Sequence, residues 1–181
     1  MFQRINVLLF ATLVICHCSS TVPNVSTPLP FEKAPLAGMI YSSAGRPIRG
    51  AHIRIDTGIR TQSDINGRFV SEPIPPGRHY LIISRQGFET RNISIEFSDR
   101  LQVLYVRLAS LDHLLQAAET EIDRGELEKA AELLERAATA AAEDPALLML
   151  KLVVAVQGED QKGINELSEI LSRRSLPVPE E

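Results

Sequence analysis

The chain has 181 residues, 44% of them hydrophobic and 23% charged, with a net charge of −4. That usage fits a folded chain of one or two domains and excludes a wholly disordered one. No run reaches the roughly 18–20 apolar residues of a spanning helix. The negative balance excludes a globally basic nucleic-acid binder.

Charge is unevenly spread along the chain. Residues 35–109 carry ten Arg, no Lys and six acids, a net +4, whereas residues 110–181 carry seven basic and sixteen acidic residues, a net −9. Arg4 is the only charge in the first 31 residues. It precedes the apolar run Val7–Cys16, the basic-then-apolar pattern of a secretory signal, so residues 1–18 are predicted to be a signal peptide. Both cysteines, Cys16 and Cys18, lie here. An apolar run ending in Cys and followed by Ser19-Ser20-Thr21 resembles a bacterial lipoprotein signal, although Ile15 and His17 stand where a small residue is usual. Cys16 and Cys18 are therefore the candidate lipidation positions, and simple cleavage and release is the alternative. Export to the periplasm, the medium or a lipid-anchored place in the envelope is expected. Residues 19–34 are Ser/Thr/Pro-rich without period and read as a tether.

From Pro35 to Ala109 turn signals recur every few residues, and short runs between them alternate apolar with polar. In Ala51-His52-Ile53-Arg54-Ile55 the isoleucines share one face and His52 and Arg54 the other. Seven strands are predicted, at 36–42, 50–56, 58–63, 67–72, 79–85, 90–97 and 101–108, which suggests a β-sandwich. The last run, Leu101–Leu108, is apolar on both faces and reads as a central strand. The turns depend on particular residues: Gly45 and Pro47, Gly50, Asp64 and Gly67, Pro76 and Gly77, and Gly87. Asp64 can accept backbone N–H bonds across its turn, and Gly67 supplies a positive φ.

These residues form an ordered series: Gly38-Met39-Ile40-Tyr41, Gly45-Arg46-Pro47-Ile48-Arg49-Gly50-Ala51, Ser63-Asp64-Ile65-Asn66-Gly67-Arg68-Phe69, Ile74-Pro75-Pro76-Gly77 and Gly87-Phe88-Glu89. The series resembles the carboxypeptidase regulatory-like domain, a transthyretin-like seven-stranded sandwich. Ser63 stands for the usual Thr, Ile74-Pro75-Pro76 for a leucine-led turn, and His79 for the usual Tyr. The resemblance implies a non-catalytic accessory, adhesion or folding-support module, since the motif residues specify turns and carry no reaction.

After Leu108 the period changes from 2 to 3.6. Leu111, Leu114, Leu115 and Ala118 mark one face of a first helix that Arg124-Gly125 ends. A second runs from Glu126 to about Ala142. Asp144-Pro145 opens a third, apolar nearly all round, and Gly158 ends it before a fourth from Asp160 to Ser172. Gly125-Glu126-Leu127-Glu128-Lys129 returns as Gly158-Glu159-Asp160-Gln161-Lys162, 33 residues on, so the helices resemble tetratricopeptide repeats; an unrelated four-helix bundle is the alternative. The fold class is a multidomain β + α chain, a seven-stranded sandwich over 35–109 followed by antiparallel helical hairpins over 110–176 and a tail at 177–181.

Two repeats leave apolar surface uncovered, so the helices are expected to fold back on a sandwich, the third helix supplying the burial and helical carboxylates facing the sandwich arginines. Glu132 and Arg136 sit i,i+4 and read as a solvated pair. His79 is expected to pack in the core and His113 to lie on a solvated face. No HxH, HExxH or CxxC spacing, phosphate loop or nucleophile elbow exists, so no catalytic residue, metal ligand or cofactor is assigned. The function read from this is an exported, non-enzymatic protein-interaction or scaffolding module of the cell envelope with a protein partner, no nucleic acid and an open oligomeric state. The alternative is a carbohydrate-binding sandwich acting on a polysaccharide. It needs aromatic platforms, and Tyr41, Tyr80, Phe88 and Tyr105 are expected mostly in the core.

Overall fold

The computed structural model describes residues 32–175. The signal segment, Cys16 and Cys18, nearly all of the tether and the 177–181 tail lie outside the described residues.

Seven strands form two sheets: β1 (Ala34–Ser42), β2 (His52–Ile55), β3 (Arg60–Gln62), β4 (Arg68–Ile74), β5 (Gly77–Ser84), β6 (Arg91–Phe97) and β7 (Val103–Leu108). One sheet has the order β4-β1-β7, the other β3-β2-β5-β6. β1 runs antiparallel to β4 and parallel to β7, and every pair in the second sheet is antiparallel. Period-2 alternation aims Leu36 and Ile40 of β1, Ile53 and Ile55 of β2 and Leu81 and Ile83 of β5 into one core, closed by Phe69, Ile74, Phe97, Val106 and Leu108. Gly38 faces this core because Phe69 takes its space: a Cβ there would overlap the Phe69 ring and the Leu104 carbonyl.

The strand at 101–108 differs from the expected central position. β7 pairs only with β1 and forms an edge of the three-stranded sheet. Its apolar density reflects one buried face, Val106 and Leu108, and one open face, Val103 and Tyr105. A continuous apolar run signals two-sided burial only when the second face is covered.

The turns use the residues singled out above. The Asp64 carboxylate accepts from Asn66 and Arg68 N–H, both at 2.8 Å. Gly67 sits at φ +75°, and a Cβ there would overlap the Ile40 carbonyl. Gly45, Gly50, Gly77 and Gly87 also have positive φ. Pro47 bridges to Tyr41. Pro76 lies between β4 and β5, where the chain passes from one sheet to the other.

Four helices follow: α1 (Leu111–Asp123), α2 (Leu127–Ala141), α3 (Pro145–Gln157) and α4 (Gln161–Ser175). Ser110 caps α1 and Asp144 caps α3, with Pro145 in its first turn. Each helix packs on the next, and α1 also touches α3. Leu114, Ala118, Leu134, Ala137 and Leu147 make their core, together with Ala109. Ala130 is fully buried, and a Cβ on Gly163 would stand 3.4 Å from that of Ala155. α3 keeps Met149 and Val156 exposed, so its apolar circumference is only half covered.

Candidate functional site

The sequence gives Gly87-Phe88-Glu89 no role beyond a turn, yet the β5–β6 loop is where the two halves of the chain meet. Glu89 is 2% exposed. Its backbone N–H donates to the Ala109 carbonyl at 2.9 Å, and its Oε1 accepts from the Ala109 N–H at 2.9 Å. Arg136 of α2 completes the site with a two-pronged contact, Nε to Oε2 at 2.8 Å and Nη2 to Oε1 at 3.2 Å. Burial pushes the Glu89 carboxyl up, but the hydrogen bonds from Arg136 and Ala109 and the charges of Arg136 and Arg91 outweigh it, leaving its pKa below the ordinary value. Next to it the Thr90 N–H donates to Thr139 Oγ1 at 2.8 Å, and the Leu111 N–H to the Gly87 carbonyl at 3.0 Å.

This clamp corrects two expectations. Arg136 does not form the solvated i,i+4 pair with Glu132; it reaches a buried carboxylate 47 residues away. The charge polarity of the contact is also reversed, because the sandwich supplies the carboxylate and the helix the guanidinium. A desolvated carboxylate that already accepts from the Ala109 N–H holds a guanidinium more firmly than an exposed neighbour one helical turn away. The bonds to the sandwich come from the start of α1 and the end of α2, not from α3.

A cleft of about 590 Å³ opens beside the clamp, between the β1–β2 loop and the first turns of α1. Arg46, Arg49 and Arg85 line it, with Phe88, Asp112 and His113. Arg78 and Arg91 pair with Glu96 and Glu89, but Arg46, Arg49 and Arg85 have no carboxylate partner among the described residues.

The outer face of the three-stranded sheet mixes apolar residues with arginines. Register places Val70, Ala37 and Val103 in one row and Arg68, Met39 and Tyr105 in the next, with Tyr41 beside Arg107 beyond. Val70 is 60% and Tyr105 68% exposed. The tyrosines are thus not core residues as expected: Tyr80 and Tyr105 are exposed, and Tyr41 and Phe88 are half-buried.

His79 is buried as expected, with Leu81 and Ile83 on the inner face of β5. Its Nδ1 lies 2.9 Å from Asp56 Oδ1 and its Nε2 2.9 Å from the Pro75 carbonyl. Burial opposes its charging, but Asp56 and the Pro75 carbonyl prevail and raise its pKa; the same contact lowers that of Asp56. His113 is exposed in the cleft. Among the described residues no three His, Cys, Asp or Glu side chains are grouped as metal ligands, and no helix is long and apolar enough to cross a membrane.

Residues 35–107 match the carboxypeptidase regulatory-like domain. That segment is a carboxypeptidase regulatory-like domain. The match ends before α1, so the helices and Arg136 lie outside the regulatory-like domain. No curated protein matches the sequence.

Similar solved structures include a chain of a type II cohesin–X-dockerin complex from Acetivibrio cellulolyticus. The two are 20% identical over 45% of this chain and 60% of that one, with a TM-score of 0.38. For the 3-chlorocatechol 1,2-dioxygenase of Rhodococcus opacus the identity is 10%, over 44% and 60% of the two chains, with a TM-score of 0.35. The major pilin subunit of Bacillus cereus is 16% identical over 44% and 30%, with a TM-score of 0.33. The chain spans 60% of the length of the cohesin-complex chain. Likeness at this level carries no inference about what the protein binds.

Proposed function

We propose that the protein is an exported, non-enzymatic protein-interaction module of the cell envelope, with the outer face of the β4-β1-β7 sheet as its contact surface. The observation that carries this is two adjacent rows, one with the exposed Val70 and Val103 and the next with the half-buried Met39 and exposed Tyr105, on a sheet whose edge strand β7 is unpaired on its far side. An apolar patch on an exposed sheet, with Met39 at its middle, a tyrosine on its edge strand and arginines alongside, has the composition of a protein contact. The non-enzymatic reading rests on how the buried ionisable groups are used: Glu89 and His79 are held by structural hydrogen bonds on every side and present no free atom to a substrate. Export rests on the basic-then-apolar start, and the helical hairpins are read as a tetratricopeptide-like pair.

The test is photo-crosslinking from position 105 in cell-envelope extracts. The expected result is one protein adduct of defined mass, lost on Val103→Asp and absent when the crosslinker is placed at Arg54 on the other sheet. Equal labelling from both positions would overturn the reading. Mass spectrometry of the native protein tests export: loss of roughly 15–20 residues is expected, added lipid mass on Cys16 or Cys18 would show anchoring, and an intact Met1 would refute it.

One observation favours a second reading, carbohydrate binding: Tyr41 and Tyr105 lie on the same outer face and neither is buried. Retention on insoluble polysaccharide that survives Tyr105→Phe and is lost on Tyr105→Ala would support it, because a ring stacks on a sugar without its hydroxyl.

A further inference from the structure

Every arginine of the sandwich faces a choice between a carboxylate of its own chain and solvent. Arg78 and Arg91 have their carboxylates. Arg46, Arg49 and Arg85 have none, and all three converge on the cleft between the β1–β2 loop and α1. Arg46 and Arg49 bracket the Pro47–Ile48 bend, whose backbone is pinned by the Ser42 N–H to Arg46 carbonyl bond at 2.8 Å and the Ile48 N–H to Ile40 carbonyl bond at 2.9 Å. Arg85 enters from the opposite side, at the end of β5, its Nη1 3.4 Å from where a Cβ on Gly50 would stand. Asp112 is the one carboxylate in the lining, against three guanidinium groups.

The position of the cleft is fixed by the Glu89 clamp, which ties α1 and α2 to the loop that also carries Arg85 and Phe88. Arg85 therefore stands on a braced loop, while Arg46 and Arg49 stand on the bend pinned to β1. Guanidinium groups are planar forks matched to carboxylates, and this segment uses Arg without a single Lys. The cleft is within the size of ordinary ligand sites and larger than one small anion needs. Phe88 and Pro47 give its wall an apolar part. A ligand that fits must carry more than one negative charge and some apolar surface.

We infer that this cleft is a binding site for an acidic peptide segment of a partner protein, with Arg46, Arg49 and Arg85 receiving its carboxylates and Phe88 and Pro47 its apolar side chain. The site shares no residue with the sheet face proposed above and stands or falls separately from it.

The experiment is fluorescence anisotropy of the full chain with a labelled alternating Glu–Leu hexapeptide in 50 mM NaCl, using a Lys–Leu hexapeptide as the control. The expected result is saturable binding of the Glu–Leu peptide alone, weakened at 300 mM NaCl. Arg85→Gln should weaken it severalfold, and Arg46→Gln with Arg49→Gln and Arg85→Gln at least tenfold, with an unchanged urea midpoint showing that the fold is kept. Tyr105→Asp should leave peptide binding unchanged, which separates this site from the sheet face. These results would overturn the proposal: no preference for the acidic peptide; an equal loss on Arg54→Gln with Arg60→Gln, which lie outside the cleft lining and would signal general charge; or displacement by sodium phosphate at the peptide's own concentration, which would make the cleft a site for a free anion. Self-association by sedimentation that competes with the peptide would assign the cleft to a second copy and overturn it too.

Discussion

The sandwich and the helices reach stability by different routes. The sandwich closes a core between two sheets, in which each of its longer strands contributes apolar residues at period 2, and its turns are locked by glycines and Asp64. The helices bury a smaller cluster centred on Leu114, Leu134 and Leu147 and leave Met149, Val156 and Ile170 exposed. A short helical array closes its core only partly, so the helices depend on what holds their first hairpin, and that is the buried Glu89 with its partner Arg136. The difference teaches where the chain is vulnerable: core packing in the helices, turn geometry in the sandwich, and one ion pair between them.

The largest effect is expected in the helical core. Leu134→Ala removes a side chain that is 1% exposed and should cost about 3–4 kcal/mol. Circular dichroism at 222 nm through a urea titration would show it as a lower midpoint. A loss below about 1 kcal/mol would mean that the site collapses readily and the helical core is looser than its burial indicates.

Gly67→Ala sharpens the other side of the comparison. The positive φ and the overlap with the Ile40 carbonyl should together cost about 2 kcal/mol. Tyrosine fluorescence reads the sandwich selectively, since all three tyrosines, Tyr41, Tyr80 and Tyr105, lie in it. An unchanged urea midpoint would place the turn elsewhere.

The smallest effect is a pH dependence confined to the sandwich. The folded pKa of His79 is raised, so its contribution is complete below the ordinary histidine value near 6.5 and is lost as pH rises through the higher folded value. The folded pKa of Asp56 is lowered, so its contribution is complete above the ordinary aspartate value and is lost as pH falls through the lower one. The pair therefore stabilises best between about pH 4 and 6.5. In His79→Gln the decline above pH 6.5 should vanish from the urea midpoint. A wild-type midpoint that does not fall there would contradict the charged pairing.

Much of this was legible in the residues, for reasons that also mark where legibility ends. Alternation in Ala51–Ile55 and Ile93–Phe97 shows strands because each buries one face. Pro145 and Gly125 mark helix ends because their backbone chemistry is local. The edge position of β7 was not legible, since the same apolar run suits a central strand, and sheet order depends on the whole chain. The open Tyr105 followed from that same error. Glu89 stood in the motif, but its partner could not be read: Glu132 satisfies Arg136 by local spacing, and only the fold brings a buried carboxylate closer. The arginine cleft shows in the sequence as an Arg-only, Lys-free segment. Which of its ten arginines converge is a property of the loops.

The central claim is that one ion pair, the buried Glu89 with the half-exposed Arg136, joins the helices to the sandwich, and a double-mutant cycle tests it most directly. Glu89→Gln, Arg136→Met and the double variant would be unfolded in urea in parallel with the wild type. The account expects each single change to destabilise and a coupling of about 1–3 kcal/mol between them. Additive effects, with coupling near zero, would show that Glu89 and Arg136 meet without holding the two regions together.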